Sequence, residues 1–370
     1  MMFKKYKFIK WISVFLVSVI TIIVCFGLWF KNLLPPPRDN KIKSILIKEL
    51  PYVSENIVPV RGKILAVVTS TNKIGNSGKK TGYELSELAR AYYTFKANGF
   101  EVDIASPKGG KAPKIIDDED MGAYDFAFLN DSIANYKINH TIPINNIIEE
   151  DYEAIFFAGG KGAMFDFPNN KSIQRITKHY YQTNKVIGAV CHGPSALVNV
   201  ILDNGKPLLE NKKVSGFTNK EELLLISDVK LIFPFLLQDK MNSQGANFNE
   251  GSMYLDKVSH DQNLITGQNP WSTWSLSESM IKQLGYKPKY REKTSEENAV
   301  KVLSVYKEQG KQEAKKVIEQ IVLKDKMDVD RMLIAKHAVI AAMKWDVSHF
   351  FNIINLVSYA KKSEQKRNLI

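Results

Sequence analysis

"KVIGAVCHGPSAL", residues 185–197, is a β-branched apolar run that stops at a cysteine, a histidine and a Gly-Pro pair before helical spacing resumes. A buried strand that passes directly into a helix belongs to a parallel sheet, and such sheets gather ligands at the carboxyl ends of their strands. The same alternation recurs upstream. "KILAVVTS" (63–70) is a short apolar run, "ELSELARAYYTFKANG" (84–99) has helical spacing that ends at Gly99, and "FEVDIASP" (100–107) is a strand again. "YEAIFFAGG" (152–160) then reads as a strand and "NKSIQRITKHYYQTN" (170–184) as a helix, followed by the opening strand and a helix over "PSALVNVIL" (194–202). "KKVSGFT" (212–218) and "NLITGQNP" (263–270) are candidate later strands, and "STWSLSESMIKQLG" (272–285) is a closing helix. The expected fold is α/β, a doubly wound, mostly parallel sheet sandwiched by helices over residues 62–285.

Both flanks differ in texture. "WISVFLVSVITIIVCFGLWF" (11–30) carries no charge over twenty residues, which at ~1.5 Å per residue matches a ~30 Å hydrocarbon core. It reads as a transmembrane helix after a basic N-terminus, residues 1–10. Lys4, Lys5, Lys7 and Lys10 precede it and only Lys31 and Arg38 follow closely, so the N-terminus is expected in the cytoplasm and the body outside. A cleaved signal peptide fits less well, because "GLWFKN" (27–32) lacks the small residues of a cleavage site. "LLPPPRDNK" (33–41) favours a stiff spacer, and residues 31–61 read as linker.

Past "YKPKYREK" (286–293), strand signals cease and residues 286–370 form a helical extension. Thr294 and Glu297 have capping-box spacing and Gly310 stops the helix they begin; residues 311–324 and 330–362 follow as helices. Lys336, Lys344, Asp346 and His349 interrupt the apolar stretch 332–362, which points to amphipathic packing instead of a second span.

The 370 residues are 44% hydrophobic and 24% charged, which excludes a disordered or collagen-like chain. The net charge of +12 is spread among acids with no nucleic-acid-binding motif, so nucleic acid is not an expected partner. Cys25 and Cys191 are too differently placed to form a disulfide framework. No HExxH or paired CxxC occurs, and His140, His179, His260, His337 and His349 stand apart, so neither a metal nor a cofactor is expected.

A thiol at a strand end before a helix start is the arrangement of a nucleophile elbow, where the helix dipole favours thiolate. Gly193 allows the tight turn, Pro194 suits a first helical turn, and the His192 N–H is placed to stabilise an oxyanion. A buried inert cysteine at a strand end is the competing reading.

"AVCHGPSAL" (189–197) resembles the elbow of the ThiJ/PfpI superfamily, related in fold to class I glutamine amidotransferases. Residues 81–110, 151–168, 212–222 and 263–273 are similar, in order, to blocks of its glutathione-independent glyoxalase (glyoxalase III) branch, which also includes heat-shock chaperones. The resemblance implies Cys191 as nucleophile, His192 as general base and acid, and Glu222 orienting the imidazole, with Glu221 as the fallback. It also implies a protonated Glu87 beside the sulfur, and Gly160 as the second oxyanion N–H. By itself the Gly159-Gly160 pair is only a tight turn.

Relatives have "GGHG" where Lys161 stands and a His-Pro pair where Arg90 and Ala91 stand. If that loop histidine binds the carbonyl substrate in relatives, Lys161 and Arg90 would instead favour an anionic substrate here. The activity implied is conversion of methylglyoxal to lactate in carbonyl-stress detoxification, a lyase reaction on a small carbonyl substrate, by an enzyme that is often a homodimer. Two other readings stay open: an amidase or peptidase-like hydrolase using the same thiol, and a chaperone or interaction module with an inactive or redox-sensing cysteine. In the last, apolar residues such as Phe350, Phe351, Ile353 and Ile354 on the C-terminal helices meet a protein partner.

Overall fold

A computed structural model describes residues 2–37, 39–116, 121–226 and 229–369. Arg38, counted above among the charges after the apolar run, lies outside the described residues. The chain divides into two compact units: Asp39–Glu292, and a unit formed by both chain ends, Met1–Arg38 with helix α1 (Met2–Leu33), and Lys293–Ile370.

The larger unit is built on a seven-stranded sheet. Its strands are β1 (Lys63–Val67), β2 (Glu101–Ser106), β3 (Ile142–Pro143), β4 (Ala154–Phe157), β5 (Val186–Val190), β6 (Val258–Asp261) and β7 (Leu264–Gly267), in the order β6-β7-β5-β4-β1-β2-β3. All pairings are parallel except β6 with β7. β4 and β5 are buried at every position, as strands covered on both faces must be, and hence read as unbroken apolar runs. The chain leaves β1 toward β2 and returns to β4 on the other side of β1, so the sheet's switch point lies between β1 and β4.

The helices of this unit that bear on the site are α2 (Leu85–Ala97), α3 (Lys171–Gln182), α4 (Asn219–Leu225) and α5 (Thr273–Gln283). α2 is buried almost all round, Glu87 and Arg90 included. Gly99, at φ +86°, closes the turn that returns the chain to the sheet.

Several local expectations change. The helix expected over 194–202 is a single 3₁₀ turn, Gly193–Ala196, and Asn199 at φ +62° breaks any continuation. Lys213–Val214 pairs with Asn247–Phe248 in a separate two-stranded ribbon. The linker expected over 31–61 is shorter, because Leu50, Tyr52 and Val53 are buried in the core of the α/β unit.

The second unit contains α1 with α6 (Ser295–Gln309), α7 (Lys311–Glu319), α8 (Arg331–Met343) and α9 (Val347–Arg367). Thr294 and Glu297 make the reciprocal cap of α6, at 2.9 and 3.2 Å, and Gly310 at φ +89° ends it. The side chains of Asp330 and Asp346 accept from Leu333 N and His349 N to cap α8 and α9. Ile318, Ile334, Ala338, Leu356 and Val357 are buried. So are Ile353 and Ile354, which removes them from any partner surface; Phe351 is exposed. The last turn of α1 joins this unit: Leu33 is buried and its carbonyl accepts from Arg331 Nη1.

Candidate active site

Cys191 follows β5 directly and has φ +58°, a left-handed conformation that a non-glycine residue adopts only when its surroundings enforce it. Two backbone bonds do so: Cys191 N donates to Gly267 O at 3.0 Å, and Phe217 N donates to Cys191 O at 2.8 Å. Close approaches at neighbouring glycines complete the elbow. A Cβ on Gly193 would lie 2.2 Å from Phe157 O, and one on Gly159 would lie 2.7 Å from His192 N, Val190 O and Glu87 Oε2 alike. The three segments that end β4, β5 and α2's first turn meet at distances only glycine allows.

Cys191 Sγ lies 3.3 Å from His192 Nδ1, and His192 Nε2 lies 2.6 Å from Glu222 Oε2. The imidazole rests on Phe217, ring centroids 4.6 Å apart, and all three side chains of the relay are buried. Glu221 and Glu222 divide their work through helical geometry, since consecutive residues on α4 point about 100° apart. Glu221 accepts from Thr218 N, Tyr254 N, Gln268 Nε2 and Asn269 Nδ2, between 2.7 and 3.0 Å, and so fixes the start of α4. Glu222 is then the carboxylate that meets His192, and its Oε1 is buried without a hydrogen-bond partner among the described residues.

Glu87, in the first turn of α2, is fully buried; its Oε2 accepts from Gly159 N at 2.6 Å and its carboxyl interacts with the Cys191 side chain. Burial pushes the Glu87 carboxyl well above the usual range, and the negative charge of Glu84 pushes it further. Burial likewise drives the Cys191 thiol up, followed by the charges of Glu87, Glu222 and Glu84. Both shifts favour the protonated form of each group. The helix expected to favour thiolate through its dipole is a single 3₁₀ turn, too short to carry a useful dipole.

Gly160, at φ +96°, sits against Gly82 O and Glu84 N with no room for a Cβ. Lys161 follows it, half-buried. Arg90 is not available to a substrate: it pairs with Asp125 at 3.0 Å, both buried, and lies 5.2 Å over the Trp271 ring. The expectation that Arg90 recruits an anion is therefore withdrawn. Ala91 is wholly buried in core packing. Glu84 is a contributor that the sequence reading missed, although its position three residues before Glu87 places it on the same side of the helix start.

A doubly wound sheet with a cysteine elbow at the end of a central strand, backed by an imidazole and two buried carboxyls, defines a class of α/β proteins with a thiol at the carboxyl edge of the sheet. The chain belongs to the DJ-1/PfpI family, whose pattern matches residues 79–283. It is 34% identical to the glutathione-independent glyoxalase HSP31 of Saccharomyces cerevisiae over 236 residues, covering 60% of this chain and 98% of that one. It is 30% identical to glyoxalase 3 of Candida albicans over 231 residues, covering 59% and 97%. Among solved structures, the rapid encystment protein of 24 kDa from Francisella tularensis superposes with a TM-score of 0.58 at 36% identity, covering 60% of this chain and 99% of that one. Glyoxalase III of Candida albicans does so with 0.56 at 28%, covering 60% and 97%. The family match ends before Lys293, so α6–α9 lie beyond it, and α1 lies before it.

Proposed function

We propose that this chain is a glutathione-independent glyoxalase of the glyoxalase III type, which converts a 2-oxoaldehyde such as methylglyoxal to the 2-hydroxy acid. The observation that carries the reading is two groups able to move a proton at one thiol: His192 Nδ1 at 3.3 Å and the buried Glu87 carboxyl. An acyl hydrolase needs a single base there, whereas an internal rearrangement needs one group to take a proton from carbon 1 and a route to return it to carbon 2. The names carried by the relatives point the same way.

In the proposed reaction His192 takes the thiol proton, with Glu222 holding the imidazolium, and Cys191 Sγ bonds to the aldehyde carbon. The aldehyde oxygen becomes the hydroxyl of a hemithioacetal, stabilised while anionic by the backbone N–H groups of His192 and Gly160. Transfer of the carbon-1 proton to carbon 2 and of the hydroxyl proton from oxygen 1 to oxygen 2, through His192 and Glu87, leaves a thioester of the 2-hydroxy acid. Carbon 1 is oxidised as carbon 2 is reduced, so no external oxidant enters. Water then breaks the C–S bond, releasing the hydroxy acid and the thiol. Turnover of methylglyoxal without glutathione is the test: the wild type is active, and Cys191→Ser and Glu87→Gln each lose about 10²-fold or more. A folded but inert wild type removes the glyoxalase reading and favours a hydrolase on the same thiol.

Membrane attachment is the second part of the proposal. α1 is a single span with its N-terminus in the cytoplasm and the α/β unit across the membrane. What supports it is the apolar stretch Ser13–Leu33, whose side chains at Phe15, Leu16, Val17 and Ile20 are exposed and have no protein cover. Retention of the full chain in the membrane pellet after extraction at alkaline pH is the expected result; release into the supernatant removes this part.

A further inference from the structure

We propose that the corner between α8 and α9 is seated in the lipid leaflet where α1 leaves the membrane, so that the C-terminal helices are a second membrane contact. The inference rests on the reading of α1 as a span. It comes from two contacts along α1 and α9. Phe26 meets Phe350, ring centroids 6.4 Å apart, and six residues later Asn32 accepts from Lys361 Nζ, at 2.5 Å through its backbone oxygen and 2.9 Å through Oδ1. The order of contacts is the same on both helices, so they run in the same direction. The N-terminus of α9 therefore points back toward the middle of the apolar segment.

Depth follows from helix rise. Phe26 lies four residues inside the end of the charge-free run at Phe30, about 6 Å at ~1.5 Å per residue. α9 starts three residues before Phe350, which carries the corner to that depth or slightly beyond. Interfacial helices bury their apolar side by about this amount, ~5–10 Å.

The corner's side chains match the place. Trp345 is 90% exposed, Val347 63%, Phe351 59% and Met343 57%, an apolar cluster with no cover from its own unit. Tryptophan is the residue of the water–lipid boundary, with an apolar ring and one N–H donor. The charges nearby suit a boundary better than a hydrocarbon interior. Asp346 is held by the cap of α9 and pairs with His349 Nδ1 at 2.8 Å. A water-soluble partner explains the exposed cluster equally well, but it does not explain why the cluster sits beside the apolar wall of α1.

The test uses the full chain in vesicles of phosphatidylcholine and phosphatidylglycerol, with Cys25→Ser and Cys191→Ser as background. A nitroxide is placed singly at Trp345→Cys, Phe351→Cys, Leu16→Cys or Lys362→Cys, and its collisions with oxygen and with a water-soluble nickel chelate are compared. Phe351→Cys repeats the measurement away from the left-handed backbone of Trp345. The expected result is an oxygen-to-nickel collision ratio several-fold higher at Trp345, Phe351 and Leu16 than at the exposed Lys362. A lipid-immersed Leu16 with Trp345 and Phe351 as open to nickel as Lys362 overturns the inference and leaves the span standing. All four positions open to nickel overturns the span and the inference together.

Discussion

Burial and nearby carboxylates act against the Cys191 thiolate, and this sets how it should respond to pH. Burial acts first on the thiol and the Glu87 charge next, both upward, so thiolate forms only above the ordinary thiol range while the site is empty. For an acid a raised pKa means that the protonated form persists to higher pH. Glu87→Gln keeps the shape and can still accept the Gly159 N–H, but it removes the charge. The alkylation of Cys191 by iodoacetamide should therefore begin its rise at lower pH in Glu87→Gln than in the wild type, while turnover falls. A Glu87 that served only to pack the elbow would lower both together. Because the two groups titrate as a pair, the measured midpoints belong to the pair. Glu222 is placed differently: it meets His192 Nε2 at 2.6 Å, and its charge also raises the thiol.

The elbow is an assembly of segment ends, and its packing explains which parts of it a reader of the sequence can find. The strand ending at Cys191 is legible because β5 is buried on both faces and so must be continuously apolar. Glu87 and Glu222 emerge only through resemblance, since a glutamate on a helix is ordinarily solvent-facing, and only the tertiary fold brings both to one sulfur. The stretch after Pro194 misleads for the same reason that β5 does not. Ala196, Leu197 and Val198 are buried whatever backbone they adopt, so their apolar character says nothing of helix or turn. Arg90 misleads by its charge, because its partner Asp125 is 35 residues away in the sequence. That buried pair gives a stability prediction. Arg90→Met leaves Asp125 charged and buried, at a cost of ~3–5 kcal/mol in unfolding free energy. Adding Asp125→Asn removes the stranded charge and keeps an acceptor for Gly122 N, bonded at 2.8 Å in the wild type, so the double variant should recover much of the loss.

The two units have separate cores, and the site residues Glu87, Cys191, His192 and Glu222 all belong to one of them. Residues 39–292 should therefore fold alone and turn over substrate at a rate close to that of the full chain. The boundaries matter more than the family match implies. Trimming to 62–285 removes Leu50, Tyr52 and Val53, all buried, at ~1.5–3 kcal/mol for each large side chain, or on the order of 5 kcal/mol together. It also removes a latch between the ends of the unit. Tyr52 OH accepts from Asn98 Nδ2 at 3.1 Å, Asn98 Oδ1 accepts from Lys289 N at 2.7 Å, and Arg291 stacks 3.7 Å over Trp274. None of these groups touches the thiol relay. Chemical unfolding of the two fragments should thus separate them by several kcal/mol in midpoint stability, on the order of a domain's whole margin. Any 62–285 fragment that stays folded should nonetheless retain its turnover. Equal stabilities would mean that residues 39–61 and 286–292 only lie on the surface; a large loss of turnover in a folded 62–285 fragment would mean that they shape the site.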